Sequence, residues 1–350
     1  MLQPAVRAAG HPSRPDEPSE SSTIGLNMAA LFLFLIGIVA VVAGAELVVR
    51  GGAKLAARLG ISPLVIGLTV VAVGTSTPEL AVGIDAALQG NGALAVGNIA
   101  GTSTFNILFI LGLVALMKPL AIRSQTLRFD LPFMIVAALA LFLMGIDGWL
   151  STFEGIILLI GAIAFTFLTV RIARRESLAM REEFAREYGD VPAAHSKRSI
   201  ALESAMLLVG LVVIVFGADW LVDGAVDLAR MLGVTEGFIG LTVVAIGTSA
   251  PEIVTAIVAT LRNERDIAVG NLLGSSVYNI LLILGVTSIV PIGDIPVTPE
   301  LAFIDIPVMV LATLACIPVF LSNRTFSRIE GGIFVGAYVV YLSYLLLTRT

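Results

Sequence analysis

Glu79 lies inside an apolar stretch, four residues after Thr75 and three after Ser76; Glu252 lies in a second such stretch, behind Thr248 and Ser249. Residues three or four apart share one face of a helix, so each glutamate is expected to present its carboxylate beside two hydroxyls. Pro78 and Pro251 sit directly before the glutamates. A proline has no N–H and its ring crowds the carbonyl four residues earlier, here Gly74 or Gly247. The helices should therefore break, turning carbonyls near Ala72–Thr75, and their counterparts in the second stretch, toward the side-chain oxygens. A further stripe follows each glutamate: Asn98, Thr102 and Asn106 are spaced by four, as are Asn271, Ser275 and Asn279. Carboxylates, hydroxyls, amide oxygens and carbonyls form a hard, all-oxygen donor set. Ca²⁺ takes about 6–8 such ligands. No soft ligand accompanies them, which disfavours Zn²⁺ or copper.

The structural roles that compete with ligation differ from residue to residue. A hydroxyl in an apolar helix usually bonds back to its own turn, and Asn98 and Asn271 suit either helix packing or satisfaction of a broken backbone. Glu46 and Asp219 are another acid pair, but Arg50 lies four residues after Glu46 and can pair with it. Glu79 and Glu252 have no basic residue nearby inside the apolar stretches, and an ionisable group at membrane depth is a functional candidate by default.

Both arrays belong to one repeat. Ile66–Glu79 recurs as Ile239–Glu252, and the offset of 173 residues holds without a gap from Gly37/Gly210 to Gly112/Gly285. Hydrophobic residues make up 57% of the chain and charged residues 13%. Mean hydropathy is +0.98. Soluble domains average about 45–50% apolar and about 25% charged, so this is a membrane chain. Windows of roughly 20 apolar residues, long enough to cross a bilayer, fall near 29–56, 63–88, 95–117, 130–147, 151–171, 200–229, 236–261, 268–291, 299–321 and 330–348. Five windows per half is an odd number, so the second copy must enter from the opposite side. The expected fold is an all-α polytopic membrane protein with ten transmembrane helices in two inverted five-helix repeats. Its parts would be a disordered N-terminal tail (1–27), a first repeat (28–172), a cytoplasmic linker (173–199) and a second repeat (200–350).

Charge supports the inversion. Lysine and arginine cluster at alternate ends of successive windows: Lys54/Arg58, Lys118/Arg123/Arg128, Arg171–Arg198, Arg262/Arg265 and Arg324/Arg328. Equivalent positions swap character, Arg50 and Lys54 becoming Asp223 and Asp227. The positive-inside rule then places the N-terminus outside and the linker in the cytoplasm. The single Cys316 excludes a disulfide framework. With only His11 and His195 besides, there is no material for a nucleophilic triad and an enzyme is not expected. No basic, aromatic-rich patch suggests nucleic acid.

The segments Gly74–Glu79 and Gly247–Glu252, with Gly97–Thr102 and Gly270–Ser275, resemble the α-repeat signatures of the Ca²⁺:cation antiporter superfamily, in particular its sodium/calcium exchanger branch. The resemblance covers nearly all of residues 29–348. It implies a midplane cluster of cation sites with Na⁺ influx driving Ca²⁺ export, and no cofactor beyond these transported ions. It nominates as ligands Glu79, Glu252, Thr75, Ser76, Thr248, Ser249, Thr102, Ser275, Asn106 and Asn279, with the carbonyls of Ala72 and Ala245. Many members carry an acid where Asn279 stands; here 106 and 279 are both Asn. The short central loop favours a compact prokaryotic form in the inner (cell) membrane, with the lipid bilayer around it and no obligate protein partner. Alternatives in the same site are Ca²⁺/H⁺ or K⁺-dependent exchange, and a passive cation channel.

Overall fold

The computed structural model describes residues 20–188, 197–234, 245–290, 293–322 and 324–349. The chain is helical nearly throughout. In hydrocarbon no water can satisfy backbone N–H and C=O groups, so apolar sequence of this length must bond within itself. The helices are α1 (Glu20–Leu59), α2 (Pro63–Thr75), α3 (Thr77–Leu88), α4 (Gly92–Met117), α5 (Thr126–Gly145), α6 (Thr152–Tyr188), α7 (Lys197–Met231), α8 (Ala245–Thr248), α9 (Ala250–Leu261), α10 (Arg265–Ile289), α11 (Leu301–Leu321) and α12 (Arg328–Arg349).

Eight of these are long and apolar enough to span a bilayer, and α2 with α3 forms a ninth window bent by 42°. The window expected at 236–261 begins among residues outside the described set; α8 and α9 are its described part. Of the expected tail, residues 1–19 lie outside the described residues, and α1 already includes 20–27. Of the expected linker, α6 continues to Tyr188 and α7 resumes at Lys197, leaving 189–196 undescribed.

The exterior is apolar and the interior holds the polar groups. Leu35, Val39, Ile163, Phe167, Ile333 and Val340 face outward, while Glu79, Glu252, Asn106, Asn271 and Asn279 have no exposed surface. α4 and α10 are the central pair, with 78% and 83% of their apolar windows buried. They carry the two asparagine stripes.

Glycines set how closely the helices approach. Gly37, Gly44 and Gly51 on α1 recur every seven residues, as do Gly210, Gly217 and Gly224 on α7. A Cβ on Gly44 would lie 2.8 Å from the Gly210 carbonyl, and one on Gly210 would lie 2.8 Å from that of Gly44. Gly37 meets Leu221 and Gly51 meets Leu207, so α1 and α7 run antiparallel in backbone contact. Small residues permit such contact where dispersion, not hydrophobic exclusion, drives association. The contacts recur with the two halves exchanged: Gly112 lies against Gly331, and Gly285 against Gly155.

Two short antiparallel pairs join the halves. β1 (Leu120–Ala121) pairs with β4 (Thr325–Phe326), and β2 (Trp149–Leu150) with β3 (Ile295–Pro296). α6 and α12 each start at a capping box. Ser151 and Ser327 accept from the amides of Glu154 and Glu330, whose carboxylates accept in return from the serine amides at 2.8 Å.

Candidate cation site

The break falls where the prolines require it. α2 ends at Thr75, Ser76 turns the chain with φ −84° and ψ 12°, and α3 starts with Pro78 in its first turn. Ser249 does the same between α8 and α9, with φ −88° and ψ 6°. Glu79 and Glu252 thus stand in the first turns of α3 and α9, where the unsatisfied N–H groups of a helix start favour negative charge. One expectation changes: Thr75, Ser76 and Glu79 do not share a continuous helical face, because the bend lies between them. A second changes too: the Ala72 carbonyl is not freed by the break. It accepts from the Ser76 amide at 3.1 Å, since Pro78 removes the donor to Gly74 and not to Ala72. The Thr75 and Ser275 hydroxyls each lie 3.4 Å from the same oxygen.

The bend brings residues of both halves together. Thr75 donates to Asn271 Oδ1 at 3.0 Å and its hydroxyl lies 3.5 Å from that of Ser275. Ser275 Oγ is 3.4 Å from the Ala72 carbonyl and 3.5 Å from Glu252 Oε1. Ser76 Oγ is 3.2 Å from Glu252 Oε1. A hydroxyl has one proton and cannot serve all these contacts at once. Most are also longer than the usual 2.7–2.8 Å of an O–H···O bond. Oxygens arranged octahedrally at ~2.4 Å around a cation lie about 3.4 Å from one another, so the spacing fits a cation shell.

Glu79, from the first half, holds the equivalent place in the first turn of α3 and has no exposed surface. Both Glu79 oxygens, Glu252 Oε2, Ser249 Oγ and both amide atoms of Asn106 and Asn279 are buried without a hydrogen-bond partner. Unmade hydrogen bonds on charged buried groups are costly, and the oxygens among these atoms are of the type a hard cation takes. Thr102 is buried, Thr248 is half-buried, and Ala245 opens α8. Among the described residues no three acids, histidines or cysteines cluster, so neutral oxygens must complete any shell.

Several features were not read from the sequence. Asn271 is part of the network, as the acceptor of Thr75. Wide π-type turns begin at Phe105 and Asn279, placing Asn106 and Asn279 where the helical path expands. Such turns occur often at functional sites. Two further buried acids, Asp130 and Asp305, close π-type turns ahead of Pro132 and Pro307. Tyr341 donates to Asp305 Oδ1 at 2.6 Å. The Asp-x-Pro pattern in both halves was the available signal.

The two mouths of the site differ. At one, Arg262 beyond α9 pairs with Glu46 on α1, which also pairs with Arg50. Arg58 pairs with Glu203, Arg123 with Asp266, and Arg265 donates to the Pro119 carbonyl at 2.5 Å. Burial, then Asp266, raise the Glu264 carboxyl above the usual range there. At the other mouth the equivalents of Arg262, Glu46, Arg50 and Arg58 are Gln89, Asp219, Asp223 and Met231, which cannot repeat these pairs. A cavity of about 490 Å³ opens there, lined by Ala87, Leu88, Gly90, Gly92, Val290 and Asp294 among others.

The sequence profile of the sodium/calcium exchanger protein family matches residues 29–171 and 203–347. The chain is 35% identical to inner membrane protein YrbG of Escherichia coli, over 91% of this chain and 97% of that protein. It is 29% identical to sodium/calcium exchanger MaX1 of Methanosarcina acetivorans, over 89% and 96%. A solved structure of the sodium-calcium exchanger NCX_Mj, soaked with zero Na⁺ and Ca²⁺, superposes with a TM-score of 0.78 at 27% identity, covering 91% of this chain and 99% of that one.

Proposed function

The chain belongs to the sodium/calcium exchanger family, and from that premise we propose that it exchanges Ca²⁺ for Na⁺ by alternating access. The observation that carries this reading is the meeting of Glu252 with Ser76, Thr75 and Ser275 across the two halves. The proposed ligands are Glu79, Glu252, Thr75, Ser76, Thr248, Ser249, Thr102, Ser275, Asn106, Asn279 and the carbonyls of Ala72 and Ala245.

Charge supplies the coupling. Two unit charges about 5 Å apart repel by roughly 3 kcal/mol at an effective dielectric near 20. Buried unpaired charge adds a desolvation cost. One Ca²⁺ neutralises both carboxylates, and so do Na⁺ ions in sufficient number. An empty site carries both penalties, so the protein reorients loaded and hardly at all empty. That is the behaviour of an antiporter. Ten helices in two inverted repeats, the N-terminus outside and residues 172–199 in the cytoplasm complete the proposal; exchanged glycine contacts and alternating basic clusters support it.

The test is ⁴⁵Ca²⁺ uptake into proteoliposomes preloaded with Na⁺, with K⁺, or with a pH gradient alone. Uptake driven by Na⁺ is expected. Uptake driven by the pH gradient alone assigns Ca²⁺/H⁺ exchange instead, an added requirement for K⁺ assigns the K⁺-dependent form, and flux without a counter-ion assigns a channel. For topology, cysteine introduced at Ala193 in a Cys316→Ser background should resist impermeant reagents applied to intact cells. Ready labelling would reverse the orientation.

A further inference from the structure

Asn106 and Asn279 hold equivalent places in the repeat, and neither amide has a hydrogen bond to fix it. The aim of each side chain therefore depends on the backbone turn that carries it. Both turns are wide ones with an extra residue. Passing that residue along the helix would rotate the side chains in the turn by about 100°.

In the second half α6 pins the turn. Ahead of it, the hydroxyls of Tyr278 and Thr166 lie 2.8 Å apart. Thr166 gives its one proton to the Ala162 carbonyl at 2.8 Å, so Tyr278 is the donor to Thr166. The Phe165 ring meets the Tyr278 ring edge-on, centroids 5.6 Å apart. Within the turn, a Cβ on Gly161 would lie 3.3 Å from the Leu281 side chain; beyond it, one on Gly155 would lie 3.1 Å from the Gly285 carbonyl. The first half repeats the glycine contact beyond the turn, Gly112 against Gly331, but not the hydrogen bond ahead of it. The equivalent of Tyr278 is Phe105 and, counted from the capping boxes at Ser151 and Ser327, that of Thr166 is Leu342. Donor and acceptor are replaced together. Phe105 instead stacks on Phe109 at 5.0 Å and tilts against Tyr338 at 5.1 Å. Its wide turn takes in Phe105 itself and runs six residues, whereas the pinned one leaves Tyr278 out and runs five.

We infer that Tyr278 is a positioning residue for cation binding: through its bond to Thr166 it fixes the wide turn of α10, and with it the direction of the Asn279 amide oxygen. Tyr278 does not ligate the ion. The tether belongs to one half only, so the two asparagines present their oxygens with unequal rigidity. The inference rests on the proposed role of Asn279 as a cation ligand, not on the identity of the counter-ion.

The test is equilibrium ⁴⁵Ca²⁺ binding to the purified protein. Tyr278→Phe supplies the residue of the first half and removes only the hydroxyl. It should raise the Kd for Ca²⁺ about fivefold, as loss of one hydrogen bond of ordinary net strength implies. Thr166→Val should match it, the two together should do no more than either, and Thr166→Ser, which keeps the oxygen, should keep the native Kd. Because Tyr278 acts through Asn279, Tyr278→Phe should change nothing further in an Asn279→Ala background, yet keep its full effect in Asn106→Ala. A role in folding alone would lower Tm and not show this dependence on Asn279. An unchanged Kd, or an effect that persists without the Asn279 side chain, would overturn the inference. A native Kd in Asn279→Ala itself would remove Asn279 from the site, and the inference with it. Should binding follow this cycle in a protein that shows no Na⁺-driven Ca²⁺ flux, the exchange reading fails and the positioning role stands.

Discussion

Glu252 is held by hydroxyls and Glu79 by none, so on the proposed reading the two carboxylates would do unequal work on one ion. Glu79→Gln and Glu252→Gln should each cut Na⁺-driven Ca²⁺ flux at least about hundredfold, because loss of a groups-away orienting residue alone costs 10–100-fold at metal sites. Detergent-solubilised protein should keep its elution volume, since an amide is no harder to bury than a carboxylate. Near-native flux in either variant would remove the shared-ion arrangement. Asn271→Ala should cost roughly tenfold through Thr75, which it orients rather than the ion itself. The glutamates were legible because a carboxylate in an apolar run with no basic neighbour has no inexpensive structural role. Asn271 was ambiguous because its amide suits helix packing as well as a hydroxyl from 196 positions away, and only the folded chain decides between them.

At the scale of elements, the Pro-based breaks were legible because proline acts on its own turn. The π-type turns at Phe105 and Asn279 were not, because an inserted residue in a helix leaves no mark in hydrophobic periodicity over so short a run. The close α1–α7 contact was half visible: glycine every seven residues marks a stripe, and the partner stripe is known only once the helices meet. This contact makes a sharp comparison. Gly44→Ala puts a methyl 2.7 Å from Ile214 Cγ1 and 2.8 Å from the Gly210 carbonyl, where backbone cannot yield. It should destabilise by about 1–3 kcal/mol, as overpacking does. Gly336→Ala meets nothing within 4 Å and should be neutral or slightly stabilising, in line with helix propensity. Thermal unfolding in detergent measures both, and equal Tm values for the two variants would mean that α1 and α7 are not packed this closely.

At the scale of the whole molecule, ten windows, their odd number per half and the swap of charge were all in the sequence, because hydropathy and loop charge are local sums. The inequality of the mouths was not. It depends on which loop reaches which helix: Arg262 finds Glu46 from 216 positions away, while Gln89 bonds only its own neighbour Asp85 at 2.7 Å. Arg262→Gln should therefore loosen the mouth that carries this pair. A cysteine at Thr255, about two turns inside it, should then react about fivefold faster with an impermeant thiol reagent, the ratio that a partly exposed ion pair near 1 kcal/mol sustains. No acceleration would mean that the pair decorates a mouth closed by packing alone. The two β pairs carry a different consequence, for how the protein is made. β1 and β2 emerge from the ribosome with the first five windows, yet their partners β4 and β3 are synthesised last. The first half must therefore wait in the bilayer with strand edges and the Thr75 hydroxyl unmatched, and the interlock closes only after translation ends. Two half-chains, severed between Tyr188 and Lys197 and produced together, should find each other in the cell and restore transport, whereas either made alone should be degraded by membrane quality control.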